Sequence, residues 1–310
     1  MVTKYSNQSR LKVALLVFTC ACFWGLSFYA TKVALAAGIN EIELLSLRWA
    51  IGAIAFVFMT IIGAVKVNIK GKSIRAAIYV AMFQPCFYSI FETWGIGLLT
   101  TSESSLFIAT IPLMVLITGK IFYKKSFSRR TGISIFIALL GVSTCIVFAD
   151  GFSFKGKFFG YLIISVAVLL GALYCHASAH ASETFSPMEM TLVMTVSGAA
   201  FFNAANLAMG GRFAWASLAD ADFKVILAVI FLGICCSCIC YIIFNYVLSV
   251  MNAASASNLI SNSTTAIGFL SGVVLAGDSF GFYTIIGLMM TIGGIWLASM
   301  EEPTNKSDII

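Results

Sequence analysis

Apolar runs, each about as long as a helix needs to cross a bilayer, follow one another along the 310 residues with only short polar breaks between them. Breaks carrying charge, glycine or proline divide the chain into runs at 12–36, 42–65, 75–98, 104–123, 131–149, 158–181, 188–209, 224–248, 254–276 and 280–299. A transmembrane helix takes about 20 residues, so these ten runs and their loops use up the chain and leave no stretch for a soluble domain. Open strands would leave backbone groups unpaired in hydrocarbon, which makes helix the reading for every run. Only 10% of the residues are charged and mean hydropathy is +0.98. A soluble domain carries about 25% charged residues and could not hide so much apolar surface in one core. The expected fold class is therefore an all-α integral membrane protein, multi-pass, with the lipid bilayer as its solvent.

The net charge of +6 could suggest an acidic partner, yet its placement speaks for topology. With the N-terminus in the cytoplasm, the inside segments hold Lys4, Arg10, Lys12, Lys66, Lys70, Lys72, Arg75, Lys124, Lys125, Arg129, Arg130 and Lys306, and the outside loops only Lys155, Lys157, Arg212 and Lys224. Both termini are expected in the cytoplasm, and no nucleic-acid partner is expected. The first run, Val13 to Ala37, exceeds the 7–15 or so residues of a signal-peptide core and is kept as a span. All nine cysteines lie inside apolar runs, where thiols act as small hydrophobes. The cluster Cys235-Cys236-x-Cys238-x-Cys240 lacks paired zinc-site spacing, so no metal is expected there.

An internal repeat is legible. At a constant offset, Tyr88 falls on Tyr241, Phe91 on Phe244, Ser102 on Ser255, Ser104 on Ser257, Leu106 on Leu259 and Gly141 on Gly294. At a slightly shorter one, Gly25 falls on Gly171, Glu43 on Glu189 and Gly52 on Gly198. Matches in register across five runs per half argue for duplication, with repeats at 1–150 and 151–310. Five is odd, so the second copy enters the membrane from the opposite side. Inverted repeats of this kind are the usual architecture of alternating-access carriers, with a substrate site near the midplane between the halves.

On Phe23-Trp24-Gly25, Arg48, the stretch from Ser104 to Pro112, Asn245-Tyr246 and Ala253-Ala254-Ser255-Ala256-Ser257, the chain resembles the drug/metabolite transporter superfamily, in its ten-helix EamA-type branch. It departs from that pattern at Thr265, where Pro is usual, and at Lys125 and Asp278, where Glu is usual. The resemblance implies a secondary carrier in the inner (cytoplasmic) membrane that exports small-molecule substrates such as amino acids, although some members move drugs or take up vitamins.

Polar groups in spans are costly and each needs a reason. Lys32, Arg48 and Glu92 lie well inside the first-half spans. Glu92 reads either as a carboxylate coupling transport to protons or substrate, or as half of a structural ion pair with Lys32 or Arg48. Tyr88 and Glu92, like Tyr241 and Asn245, are four residues apart and share a helix face, a stripe fit to line a cavity or merely to fill helix contacts. Trp24 and Tyr174 follow the same reasoning, Trp24 because an indole at mid-span is unusual. Asn258 and Asn262 could bond substrate or a neighbouring helix. His176 could contact substrate, respond to pH or simply pack; with His180 and Glu183 it has chelating spacing but no further His to complete a shell.

No P-loop, dinucleotide fingerprint, GxSxG or HExxH occurs, so no cofactor and no ATP-driven cycle is expected. Two further readings compete with metabolite export. One is multidrug efflux of lipophilic cations, motivated by Glu92 and the aromatic spans. The weaker is an intramembrane enzyme using His176, His180 and Glu183.

Overall fold

In the computed structural model, the described residues are 7–124, 128–148, 154–211, 214–219, 221–250 and 253–299. Both chain ends, Lys125 and the boundary at 150/151 lie outside them. Among the described residues the secondary structure is helical throughout, with no strand. We label α1 Asn7–Ala36, α2 Glu41–Ile61, α3 75–98, α4 101–123, α5 Arg129–Val147, α6 Phe154–Ala181, α7 Pro187–Ala208, α8 Phe223–Val250, α9 253–276 and α10 Phe282–Ser299.

Polar caps place the helix starts. Asn40 accepts the Glu43 amide at 2.9 Å at the head of α2. Thr100 with Glu103, and Ser186 with Glu189, close reciprocal capping boxes at the heads of α4 and α7. The Thr100 box explains why α4 begins at Thr101, three residues before its apolar run. At the far end of α9, Gly277 takes a left-handed conformation (φ 73°) and its amide bonds the Gly272 carbonyl, which stops the helix and turns the chain back.

Among the described residues, eight helices are long and apolar enough to cross a membrane: α1, α2 and α4 to α9. The other two are interrupted or short. Helix α3 carries a widened, π-type turn at Met82–Phe87, where Gln84 leaves helical geometry (φ −138°, ψ 116°) just before Pro85. Helix α10 has a shorter apolar stretch, Phe282–Leu297. Phe18, Phe58, Phe136 and Met289 are each more than half exposed on the helix exteriors. In water such a surface would aggregate; lipid tails accept it. The protein is a multi-pass membrane protein.

The packing is reciprocal between the two halves. Helix α2 lies along α7, and α5 along α10, while α1 packs on α8 and α9 as α6 packs on α3 and α4. The glycines that aligned in sequence occupy these contacts. A Cβ on Gly25 would meet Ile267 of α9 at 2.6 Å, and one on Gly171 would meet Ile111 of α4 at 2.9 Å. Two acidic residues repeat the pattern: Glu43 of α2 accepts from Ser217 in the segment before α8, while Glu189 of α7 binds the Asn68 amide (3.1 Å) and Lys72 (2.6 Å) in the segment before α3.

The α5–α10 pair tests this packing most cleanly. A Cβ on Gly141 would lie 2.5 Å from the Gly287 carbonyl, whereas nothing lies within 4 Å of one on Gly293. Both substitutions to alanine gain the same helix propensity. Gly141→Ala should nonetheless destabilise by about 1–3 kcal/mol through overpacking, and Gly293→Ala should not, as read from the melting temperature of the detergent-purified protein.

Candidate functional site

A cavity of about 690 Å³, its mouth included, lies between the two halves and is lined by residues of α1 to α4, α6, α8 and α9. The break in α3 builds one wall. Because Gln84 steps out of the helix, its buried amide reaches across to α8, where Nε2 donates to the Tyr241 hydroxyl, and also to Ser89 Oγ at 3.3 Å. Past the break the helix resumes with Tyr88 and Glu92 one turn apart on the cavity side, and the Tyr88 hydroxyl donates to Glu92 Oε1 at 2.8 Å.

Glu92 Oε2 sits 3.7 Å from Arg48 Nη1, both residues being almost fully buried. Arg48 is the cation that balances this carboxylate. Its Nε donates to Ser237 Oγ at 2.8 Å, and its guanidinium lies 5.8 Å from the ring centre of Trp49. Ser237 belongs to a second widened turn, Leu232–Ile239, midway along α8. The same turn presents the Cys236 carbonyl, which takes the Trp24 indole N–H at 3.2 Å. An indole at mid-span thus has its polar edge satisfied, as a buried Trp requires.

Trp24 meets Tyr241 and Phe244 edge-on at ring separations of 5.3 and 5.2 Å, and Tyr174 stands 5.9 Å from Phe244. Trp24, Tyr88, Glu92, Tyr174, Tyr241 and Arg48 therefore converge on one cavity from both halves.

Other residues singled out in the sequence lie elsewhere. Asn245 is not on the cavity wall: its Oδ1 accepts from Tyr174 (2.8 Å) and Ser178 (2.9 Å), and its Nδ2 donates to Thr191 (3.0 Å), so it braces α6, α7 and α8 together. Asn258 and Asn262 bond one another at 2.9 Å on the neighbouring face of α9. His176 turns to α4, within 3.1 Å of Thr118 Oγ1 and of the Val115 carbonyl. Lys32 donates to the Gly97 carbonyl at the end of α3 (3.1 Å) and not to Glu92. His180 and Glu183 form an exposed pair at 3.6 Å, and among the described residues no group of three or more His, Cys, Asp or Glu side chains is placed to hold a metal.

In place of the two asparagines, α9 offers the cavity a row of hydroxyls: Ser257, Ser261, Thr264 and Thr265. The i, i+4 spacing of Ser257, Ser261 and Thr265 was a visible signal for it. Gln84 was also missed, although a glutamine before a mid-span proline, four residues ahead of Tyr88, marks a bend with a polar group inside it.

The chain matches the EamA-like transporter family twice, over residues 11–147 and again over 158–300. It is 24% identical over 275 residues to the uncharacterized transporter YcxC of Bacillus subtilis, covering 87% of each chain. An uncharacterized transporter of Archaeoglobus fulgidus is likewise 24% identical, over 89% of this chain and 94% of the other. A solved structure, titled only as the crystal structure of a protein, shares the fold with a TM-score of 0.69 at 17% identity, over 93% of this chain and 98% of that one. The chain belongs to the EamA-like transporter family, within the drug/metabolite transporter superfamily it resembles in sequence.

Proposed function

We propose that the protein is a secondary transporter that exports small polar metabolites, amino acids among them, across the cytoplasmic membrane by alternating access. The observation that carries this reading is the cavity: polar groups from both halves converge inside an apolar bundle, where a ligand would sit between two units able to rock about it. In this reading the helices α1 to α10 are ten spans in two inverted copies, residues 1–150 and 151–310, with both ends in the cytoplasm. The reciprocal packing, the matched clasps of Glu43 and Glu189, and the twofold family match support it. The driving force would be the substrate's own gradient or a proton gradient.

Charged groups also clasp the two halves at the end that this reading places outside. Glu103 of α4 accepts from Lys157 of α6 at 3.0 and 3.1 Å and from the Tyr161 hydroxyl at 2.9 Å. Asp278, after α9, takes the Ser102 amide at 2.7 Å. The repeat relates Glu103 and Lys157 to Ala256 and Leu11, and Asp278 to Lys125. None of these can rebuild the ion pair or the carboxylate acceptor at the inner end. These two clasps thus have no charged counterpart at the related inner positions, and the ion pair at the inner end is instead Lys72 with Glu189.

Efflux of lipophilic cations is less favoured, because the Glu92 carboxylate that would attract them is already balanced by Arg48. The enzyme reading has no constellation to use, with His176 held against α4 and His180 and Glu183 exposed.

The full chain in proteoliposomes should release labelled amino acids from a preloaded panel with saturable kinetics; a broad metabolite panel with neither flux nor binding would sink the proposal. Glu103→Gln keeps the capping box, since glutamine serves there as well as glutamate, but removes the charge facing Lys157. It should raise modification of Cys145, which borders the smaller space beside the clasp, by an impermeant maleimide several-fold, read peptide by peptide in a mass spectrometer. Unchanged labelling would remove the clasp from the mechanism.

A further inference from the structure

The Arg48–Glu92 pair is built in a way that a purely structural ion pair has no need of. Its N–O separation of 3.7 Å exceeds the roughly 2.7–2.9 Å of a charge-assisted hydrogen bond. Glu92 Oε2 is buried and has no hydrogen-bond partner. A second buried acceptor on the same cavity, Gln84 Oε1, is also unpartnered, as is the Thr264 hydroxyl. Buried polar atoms normally find partners, and each that does not costs about 1–3 kcal/mol. Orphan acceptors on a cavity wall fit a ligand that brings N–H donors.

Each charged side chain is meanwhile anchored by an atom the pair does not use. Tyr88 holds Glu92 Oε1 and Ser237 holds Arg48 Nε. The two can part at Oε2 and Nη1 and still keep their places. Among the described residues on the cavity wall, Arg48 and Glu92 are the charged ones and sum to zero. A ligand with net charge would leave one charge uncompensated in low dielectric, whereas a ligand carrying both charges preserves the balance.

We infer that the Arg48–Glu92 pair determines specificity by exchange, opening to receive a zwitterion whose carboxylate faces Arg48 and whose ammonium faces Glu92 and Gln84. The inference rests on the transport reading above and adds the residues that select the charge state of the cargo. An ammonium has three donors, enough for both orphan acceptors. The guanidinium edge now turned to Glu92 is shaped for a carboxylate. The rest of the ligand would lie against Trp24, Tyr174 and Phe244, a wall suited to an apolar or aromatic side chain.

The test uses ligands that share one side chain and differ in charge: phenylalanine, phenethylamine and 3-phenylpropionate, with the matching leucine, isoamylamine and 4-methylpentanoate set. Binding is read by calorimetry on the full-length protein in detergent. Wild type should prefer the zwitterion at least tenfold over either partial analogue. Glu92→Gln should shift the preference to the carboxylate-only ligand, and Arg48→Gln to the amine-only ligand. Should Arg48→Gln not fold, Arg48→Lys keeps the charge without the planar fork, and should retain the zwitterion preference with weaker binding of the carboxylate end. An order of preference left unchanged by Glu92→Gln, or all ligands weakened equally, overturns the exchange. Flux of the wider panel with a charge-blind order of binding removes this inference alone; neither flux nor binding of any compound removes the transport reading with it.

Discussion

A helix in hydrocarbon must satisfy its own backbone, and α3 and α8 depart from regular helix at mid-span where other helices cover the departure. Gln84 leaves helical geometry in the middle of α3, and the turn at Leu232–Ile239 widens in the middle of α8. Irregular backbone at membrane depth is tolerated when it is buried in protein or lines a cavity, and both breaks meet that condition. They also create what the cavity is made of. The α3 break swings Gln84 towards Tyr241, and the α8 turn offers a carbonyl to Trp24 and a hydroxyl to Arg48.

From those breaks the charge arrangement follows. Arg48 is tied to α8 through Ser237, and Glu92 is tied to its own helix through Tyr88. The pair therefore spans the place where α2, α3 and α8 approach one another. Removing one partner would strand a buried charge at about 3–5 kcal/mol, which makes the pair a strong constraint on how these helices sit. In the clasps of Glu103 with Lys157 and Asp278 with Ser102, Lys157 lies 27% exposed, nearer to water than Arg48, and a pair screened by water is easier to open. Firm contacts at the centre with looser ones at the rim are what a bundle needs if it is to move about a fixed site.

The candidate site was partly legible in the sequence. Trp24, Tyr88, Glu92, Tyr174 and Tyr241 line one cavity. The i, i+4 spacing gave Tyr88 and Glu92 their shared face, whereas Asn245, spaced likewise from Tyr241, turns to α6 and α7. Asn258 and Asn262 illustrate the limit. They share a face as expected, but that face is one residue round from the row Ser257, Ser261 and Thr265, and on an α-helix one residue turns the side chain by about 100°. Asn245 was expected on the stripe of Tyr241, and His176 was left open between a substrate contact, a pH response and packing; their neighbours on α6, α7 and α4 supply the partners.

What the sequence determined by itself was the solvent and the secondary structure, and it argued for a duplication. Apolar length sets the first, backbone satisfaction in lipid the second, and glycines and acidic residues in register the third. What only the tertiary structure decided was partnership. Whether Glu92 answers to Lys32 or Arg48, and which polar row faces the cavity, depends on the rotation and depth of each helix against its neighbours. Residues 44 positions apart, such as Arg48 and Glu92, carry no local signal of each other. Close packing at small residues such as Gly25 and Gly171 sets those rotations, and through them the chemistry that meets in the cavity.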